Sequence, residues 1–167
     1  LTHACHLASA VAYLHQKRVI HRDLKTSNIG FDAATGGRTI QVFDFGLSKQ
    51  LEKGDNDFLV SLSGSPRYMA PEITGHLPYT YSCDVSIVLW EMLTCERAFA
   101  EFAASPHDLQ QRVLIHHEGP CLSQNPLWRG CPRLRSLVEQ AWQGDPSDRP
   151  TMSQVHNKLQ QVLNEAS

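Results

Sequence analysis

The sequence predicts a mainly α-helical domain with one small β-hairpin near its start. Apolar residues recur at helical spacing in segments spread along most of the chain, and two short β-prone runs flank a glycine-containing turn. No internal repeat or low-complexity tract interrupts this pattern. With 167 residues, 41% of them hydrophobic and 19% charged, the chain is long enough to bury a core, so we assign residues 1–167 to one domain.

The first two elements are an amphipathic helix and the hairpin. Over residues 3–17 one face carries the residues expected to pack inward, namely Ala4, Leu7, Ala8, Val11, Leu14 and His15. Residues 29–31 and 40–43 are short strand candidates, and Thr35-Gly36-Gly37 between them provides favourable turn chemistry. The polar run 48–65 has no period and exceeds the usual connection, so it is expected to be functional or mobile.

Helices dominate the rest of the predicted fold. Residues 85–93 are apolar around nearly the whole circumference, which indicates a helix buried on all sides. A more exposed helix is expected over residues 107–117, after Pro106. Two further helices place these residues inward: Leu134, Leu137, Val138, Ala141 and Trp142 in the first, and Val155, Leu159, Val162 and Leu163 in the second.

Composition excludes several classes of function. No stretch has the roughly 18 apolar residues of a membrane span, and no signal peptide is visible at Leu1. The net charge of −2 gives no basic surface for nucleic acid. The five cysteines show no zinc-site spacing and are expected to be reduced thiols of a cytoplasmic protein, and the histidines indicate no metal site.

A polar loop between the first helix and the hairpin carries the chemistry. The loop His21-Arg22-Asp23-Leu24-Lys25-Thr26-Ser27-Asn28 brings a carboxylate, an amine and an amide together, and Asp44-Phe45-Gly46 adds a carboxylate after the second strand. Phosphoryl transfer needs a base near the attacking hydroxyl, a cation on the moving phosphoryl group and oxygen ligands for Mg²⁺. These two segments supply all three.

The same segments resemble the signature of protein kinases, in which H-R-D-L-x-x-x-N is followed by D-F-G and A-P-E. Here the motifs stand at residues 21–28, at residues 44–46 and at Ala70-Pro71-Glu72. The resemblance covers virtually the whole chain and is closest to the C-terminal lobe of the tyrosine-kinase-like group of Ser/Thr kinases. It implies ATP and Mg²⁺ as cofactors and proteins with Ser or Thr hydroxyls as substrates.

The resemblance also implies a role for each residue of the polar loop. Asp23 would accept the proton of the substrate hydroxyl, and Lys25 would neutralise charge on the transferred phosphoryl group of ATP. Asn28 and Asp44 would hold the Mg²⁺ ions. Of the neighbouring side chains, His21 and Phe45 are expected to pack rather than react, whereas Arg22 is expected to face the activation segment.

That segment runs from Asp44 to Glu72. A phosphate on Ser63 would add negative charge and order the segment against Arg22. Ser65 corresponds to the hydroxyl that bonds the catalytic Asp and Lys in Ser/Thr kinases, and Lys25 favours the same class, because tyrosine-directed enzymes usually carry another residue there.

Three more residues are expected to support the site from a distance. Glu72 resembles the partner of Arg149, and a bidentate pair between them would tie the end of the activation segment to the late helices. Asp84 resembles the residue that anchors the catalytic loop through its backbone amides.

The sequence departs from the family in three places. The N-terminal lobe, with its Gly-rich loop and strand lysine, is absent from these residues, so the fragment is expected to have little activity alone. The buried helix is short after Val85. Gly30 replaces an aliphatic residue beneath the adenine ring and is expected to loosen the pocket floor. Two hypotheses therefore stand: a Ser/Thr protein kinase present as a fragment, or an inactive, pseudokinase-like or truncated module that binds proteins.

Overall fold

A computed structural model describes residues 1–52, 58–74, 77–83, 86–102, 105–116, 119–122 and 125–165. The helices are α1 (Thr2–Gln16), α2 (Pro71–Thr74), α3 (Ser86–Thr94), α4 (Pro106–His116), α5 (Leu127–Gly130), α6 (Pro132–Ala141) and α7 (Met152–Glu165). The strands are β1 (Val19–Ile20), β2 (Ile29–Phe31), β3 (Ile40–Val42) and β4 (Lys49–Gln50). The predicted fold class, mainly helical with a small hairpin, is confirmed.

Helix α1 forms the centre of the main core, where it packs along α7 and contacts α3. Its buried residues are Ala4, Cys5, Leu7, Ala8, Val11 and Ala12. These small and aliphatic side chains recur at helical spacing, which allows the neighbouring helices to approach closely. Leu14 and His15, at the C-terminal end of the same face, are only half-buried.

Helix α3 crosses this core and confirms the predicted buried helix. Five consecutive residues, Ile87 to Glu91, are buried. Because successive residues on a helix point about 100° apart, this run faces every direction and packs on all sides. Asp84 and Val85 lie outside the described residues, so the expected shortening at the start of this helix and the anchoring role of Asp84 stay predictions.

The predicted hairpin is also confirmed. Strands β2 and β3 pair antiparallel with Ile29 opposite Val42 and Phe31 opposite Ile40. Their connection contains Gly36 and Gly37 with φ of 63° and 78°, a left-handed conformation that glycine adopts at little cost.

A second small sheet was missed by the sequence pattern. Strand β4 pairs antiparallel with β1, so the run 48–65, which shows no period in the sequence, contains a short strand at Lys49–Gln50. A two-residue strand is too short to show a period of two, and its partner lies far away in sequence. Beside it the Leu51 amide donates to Arg18 O at 2.8 Å, and Leu51 is buried in a smaller core cluster with Ile20.

The late helices follow the predicted pattern with small differences. Helix α4 begins at Pro106 itself, and Trp142 lies just beyond the end of α6 and is half-buried. Val155 and Leu159 are buried, whereas Val162 and Leu163 pack against the core only partly. The short helix α5 was not predicted. Of the helices in the described ranges, none has the length and apolar content that a bilayer span needs.

Candidate active site

Buried neighbours fix the polar loop that follows β1. Leu24 inserts into the main core with 4% of its surface exposed, and His21 is completely buried. The His21 ring lies between two segments, with Nε2 3.0 Å from Phe43 O and Nδ1 3.4 Å from the Asp23 amide. A proton on Nε2 satisfies both contacts, because the ring then donates to Phe43 O and accepts from Asp23 N. His21 therefore packs, as predicted.

Asp23 is the hydrogen-bonding centre of the site. Its Oδ1 accepts from the Ser65 amide at 2.8 Å and from Ser65 Oγ at 2.7 Å, and its Oδ2 lies 2.7 Å from Lys25 Nζ. Lys25 Nζ also donates to Ser65 Oγ at 3.1 Å. Burial by itself raises the pKa of the Asp23 carboxyl, but the hydrogen bonds from Lys25 and Ser65 outweigh it, and the pKa is lowered.

Asn28 lies beside this carboxylate, and Asp44 follows Phe43, whose backbone bonds to Asn28. Asn28 Nδ2 donates to Asp23 O at 2.9 Å and to Asp23 Oδ2 at 3.3 Å, which leaves Oδ1 of the amide as an acceptor. The Phe43 amide donates to Asn28 O at 2.8 Å, so the end of β3 that carries Asp44 is held next to the loop that carries Asp23. The fold therefore brings the polar side chains of Asp23, Asn28 and Asp44 into one region.

The donor set fits Mg²⁺ in its chemistry. Asp44 is exposed, and one of its carboxylate oxygens accepts from the Gly46 amide at 3.3 Å. Within the described ranges, no group of three or more His, Cys, Asp or Glu residues could hold a metal ion. Mg²⁺ in nucleotide sites is nonetheless bound by one or two protein oxygens together with phosphate oxygens and water, which is what Asn28 and Asp44 offer.

Arg22 faces the activation segment, as predicted, but a different serine is its partner. Arg22 Nη1 donates to Ser61 Oγ at 3.0 Å and lies 3.4 Å from Tyr79 OH, and Arg22 Nε donates to Leu47 O. Ser63 is half-buried two residues further on, and it makes no hydrogen bond to another described residue. Among the described serines of the segment, Ser61 is therefore the one whose side chain is hydrogen-bonded to Arg22.

Gly64 allows the activation segment to approach the polar loop. Its φ is +115°, and a Cβ built there would lie 2.3 Å from Arg22 O. Only a glycine tolerates both this backbone conformation and this approach. The following residue, Ser65, is thereby brought into contact with Asp23.

An ion pair joins the end of the activation segment to a segment that is distant in sequence. Arg149 donates to both carboxylate oxygens of Glu72, at 2.7 and 2.8 Å, so the pair suggested by the sequence is present and bidentate. Arg149 also donates to Ser82 O at 3.2 Å and to Gln143 O at 2.7 Å. The end of the activation segment is thereby attached to the turn that precedes α7.

The Phe43 ring packs against Gly30, and the expected loosening of the pocket floor at this glycine stays a prediction. A Cβ on Gly30 would lie 2.5 Å from Cε2 of Phe43, because the Phe43 ring covers the glycine. Gly30 is opposite Gln41 in the hairpin, so Phe43 lies on the same face two residues further along. The ring fills the volume that a larger side chain at position 30 would take.

Several residues near the site were missed by the sequence analysis. The carboxylate of Glu91 is buried and contacts Thr26 and Tyr68, while Ser61 and Tyr79 surround Arg22. The one signal was a charged residue within an otherwise apolar helix at position 91, which indicates a buried carboxylate with partners.

Comparison with known proteins agrees with this geometry. Residues 2–159 match the protein kinase domain. The chain is 35% identical to the serine/threonine-protein kinase STY17 of Arabidopsis thaliana over 97% of its own length and 27% of that protein. It is 32% identical to mitogen-activated protein kinase kinase kinase 13 of Homo sapiens, over 89% of this chain and 15% of that protein. The chain is also 33% identical to dual specificity protein kinase shkB of Dictyostelium discoideum, over 87% of this chain and 22% of that protein.

A helical domain with these motifs around one carboxylate is typical of a phosphotransferase. The chain belongs to the protein kinase domain family, and the resemblance to the tyrosine-kinase-like group is confirmed. It spans about a quarter or less of the length of these curated relatives.

Proposed function

We propose that the polypeptide containing this chain transfers the γ-phosphoryl group of ATP to Ser or Thr hydroxyls of protein substrates. The observation that carries this proposal is the contact of Asp23 with Lys25 and Ser65, at 2.7 Å to each side chain. A carboxylate with a lowered pKa is ionised at neutral pH, and an amine beside it can meet a phosphoryl group.

In the proposed reaction the substrate hydroxyl oxygen forms a bond to the γ-phosphorus while the bond from that phosphorus to the β–γ bridging oxygen breaks. Asp23 orients the hydroxyl and accepts its proton, and ADP leaves with the bridging oxygen. Lys25 neutralises charge on the transferred group. Asn28 and Asp44 would hold Mg²⁺, which when bound neutralises the phosphate oxygens.

We further propose that the chain is the C-terminal lobe of the kinase fold. The Gly-rich loop and the strand lysine that cover the phosphates in this family do not occur among residues 1–167, so the longer polypeptide would supply them. The isolated chain is then expected to bind ATP weakly and to transfer little phosphate.

Preference for Ser and Thr over Tyr is supported by the Lys25–Ser65 contact and by relatives that are named serine/threonine kinases. The alternative, a module that only binds proteins, would give the catalytic carboxylates no task. Asp23, Asn28 and Asp44 are all retained, and this favours transfer over binding alone.

Two smaller proposals accompany the activity. A phosphate on Ser63 would bring about −1.5 to −2 charge into the segment that Arg22 contacts, and would favour its ordered form. We also propose that the protein is cytoplasmic, a compartment in which thiols such as those of Cys5, Cys95 and Cys131 stay reduced.

The test uses the longest natural polypeptide that contains this chain. Wild type should transfer labelled phosphate from ATP to Ser- and Thr-containing proteins, and Asp23→Asn should lose at least about 100-fold in kcat, since a positioned general base contributes this much or more. Asp108→Asn, on an exposed part of α4, is the matched control. Undiminished transfer by Asp23→Asn would refute the assigned base, and inactive wild type would refute the activity.

A further inference from the structure

The activation segment carries three apolar side chains that face solvent at every second position. Phe58, Val60 and Leu62 are exposed, by 43%, 56% and 56% of their surface. Leu59, which lies between the first two, instead packs against the smaller core cluster that contains Tyr79. Because successive side chains of an extended strand point to opposite faces, this alternation indicates that residues 58–62 run as a strand with its apolar face in solvent.

The inner edge of this strand is already paired. The Leu59 amide donates to Tyr79 O and the Tyr79 amide donates to Leu59 O, each at 2.9 Å, which forms an antiparallel β-bridge. Ser61 Oγ accepts from Arg22 and lies 3.0 Å from Tyr79 OH. These contacts hold the strand in its extended form, so a partner would not have to order it on binding.

The outer edge of the strand has no partner among the residues that the structure describes. Backbone groups of successive strand residues point to alternate edges, so the amides and carbonyls of Phe58, Val60 and Leu62 point away from Tyr79. None of these three residues forms a hydrogen bond with another described residue. An exposed strand edge of this kind is a template on which another strand can pair.

We propose that this edge pairs with the same edge of a second copy of the chain, in an antiparallel register centred on Val60. A two-fold axis at this position sets the two Val60 residues opposite each other and sets Phe58 of each copy opposite Leu62 of the other. Each opposing pair exchanges two backbone hydrogen bonds, and the apolar side chains come into contact on one face. The inference goes beyond the proposed function, because self-association needs no phosphate transfer.

The composition of the strand favours a second copy over a different partner. No charged residue occurs from Phe58 to Ser65, so two-fold pairing sets no like charges opposite each other. Strand edges commonly avoid self-pairing by carrying Lys or Pro, and residues 58–62 contain neither. The apolar positions are also symmetric about residue 60. Pairing with itself therefore leaves none of the three apolar side chains unmatched.

The contact is small, so the dimer is expected to be weak and reversible. Three apolar side chains and one strand edge bury far less than the roughly 800 Å² per partner of a stable interface. The pairing requires the extended form in which Ser61 contacts Arg22. Self-association would therefore favour this form of the activation segment over others, because a partner that binds one conformation shifts the population toward it.

The first experiment measures association of the longest natural polypeptide that contains this chain, by analytical ultracentrifugation over a range of concentrations. Val60→Lys sets two ammonium groups opposite each other at the two-fold axis and should raise the Kd at least about tenfold. Leu77→Lys is the matched control, because Leu77 is an apolar residue with 58% exposure outside the strand. If Val60→Lys does not fold, Leu62→Lys takes its place, since it sets a charge against Phe58 of the other copy.

Disulfide cross-linking tests the register. Val60→Cys should form a linked dimer under mild oxidation, because opposing Cα atoms of a hydrogen-bonded antiparallel pair lie about 5.5 Å apart, within disulfide range. Phe58→Cys and Leu62→Cys should each link poorly alone, because each residue is offset by four positions, about 13 Å, from the same residue of the other copy. Mixing these two variants should produce the linked dimer. Wild type, with its native cysteines, gives the background.

Three results would overturn the inference. The first is a wild type that stays monomeric up to about 1 mM, which would leave this edge to a different partner. The second is a folded Val60→Lys that associates as tightly as wild type, which would place the interface elsewhere. The third is a Phe58→Cys that links to itself as fast as to Leu62→Cys. Intact self-association without phosphate transfer would refute the proposed function and leave this inference standing.

Discussion

Arg149 and Glu72 form a bidentate ion pair in which 4% of each side chain is exposed to solvent. The residues are 77 positions apart, and the pair joins the activation segment to the turn before α7. Three carbonyl acceptors, Ser82 O, Gln143 O and Gly144 O, satisfy the remaining three guanidinium protons. These hydrogen bonds matter because burying two charges carries a large desolvation penalty. The penalty is offset only when the charges are paired closely and their remaining donors and acceptors are also hydrogen-bonded.

Breaking this pair should destabilise the fold. Arg149→Lys keeps the charge but cannot form the two parallel hydrogen bonds, and Glu72→Gln leaves a buried guanidinium without its counter-charge. We expect the free energy of unfolding to fall by about 3 kcal/mol in Glu72→Gln, and by somewhat less in Arg149→Lys. Urea titration followed by circular dichroism measures both.

The matched control is Arg135→Lys, whose partner Glu139 is on the surface with 44% of its side chain exposed. An exposed pair of this kind contributes under about 1 kcal/mol, so the control should unfold near the wild-type midpoint. If Arg149→Lys and Arg135→Lys lowered the free energy of unfolding equally, the buried pair would contribute no more to stability than the exposed one.

The helices were the predictable part of the fold because their signal is local. The spacing in α1, α6 and α7 and the continuous apolar run of α3 each extend over more than two turns, which is long enough to reveal a period. Strand β4 and helix α5 are too short for that. β4 forms because Lys49–Gln50 pairs with Val19–Ile20 of β1 across a long sequence separation.

Part of the candidate site could likewise be predicted from the sequence, and part of it could not. The motif residues Asp23, Lys25 and Asn28 could be found from the order of residue types alone. The contacts of Glu91 could not, because they depend on where Thr26, Tyr68 and Ala98 meet in space. The Phe43 ring over Gly30 likewise depends on which face of the hairpin each side chain occupies.

The lowered pKa of Asp23 predicts a pH-dependent effect of Ser65→Ala. Burial raises this pKa, the hydrogen bonds from Lys25 and Ser65 more than offset it, and loss of the Ser65 hydroxyl should therefore raise it. Because the folded-state pKa lies below the unfolded value of about 3.9, Asp23 contributes stability above that pH and loses it as pH falls through the folded-state pKa.

We therefore expect Ser65→Ala to lower stability at neutral pH and to approach wild type in strong acid. Carbon-13 NMR of the Asp23 carboxyl measures the pKa, and urea unfolding at several pH values measures the stability. Ser153→Ala, at an exposed position of α7, should change neither quantity. An Asp23 pKa that is unchanged or lower in Ser65→Ala would contradict the assigned hydrogen bond.

Gly64→Ala should displace the activation segment from the polar loop. The added Cβ would meet Arg22 O at 2.3 Å, and the φ of +115° is itself unfavourable for alanine. We expect a loss of about 2 kcal/mol in the free energy of unfolding and faster amide hydrogen exchange around Ser65. Gly130→Ala, which would meet no atom within 4 Å, is the control. Wild-type stability and exchange in Gly64→Ala would mean that the close approach does not exist in solution.

The contact between Gly30 and Phe43 leads to a prediction about two substitutions, Gly30→Ala and Phe43→Ala, whose effects on stability should partly cancel. Gly30→Ala places a Cβ 2.5 Å from Phe43 Cε2, so the ring must shift on the hairpin, and because 45% of Phe43 is exposed the cost stays below the roughly 1 to 3 kcal/mol of core overpacking. Phe43→Ala alone loses the packing of the ring. In the double variant the new methyl group fills part of the space that the ring has left, so the two losses should not add.

A double-mutant cycle of urea unfolding tests this coupling. We expect the double variant to be more stable than the sum of the single losses predicts by at least about 0.5 kcal/mol, the level at which residues in contact are distinguished from independent ones. Gly130→Ala combined with Phe43→Ala is the matched comparison and should be additive, because no atom lies within 4 Å of a Cβ at position 130. Additive losses for Gly30 and Phe43 would show that the ring does not cover the glycine, and the hairpin would then offer an open floor at this position.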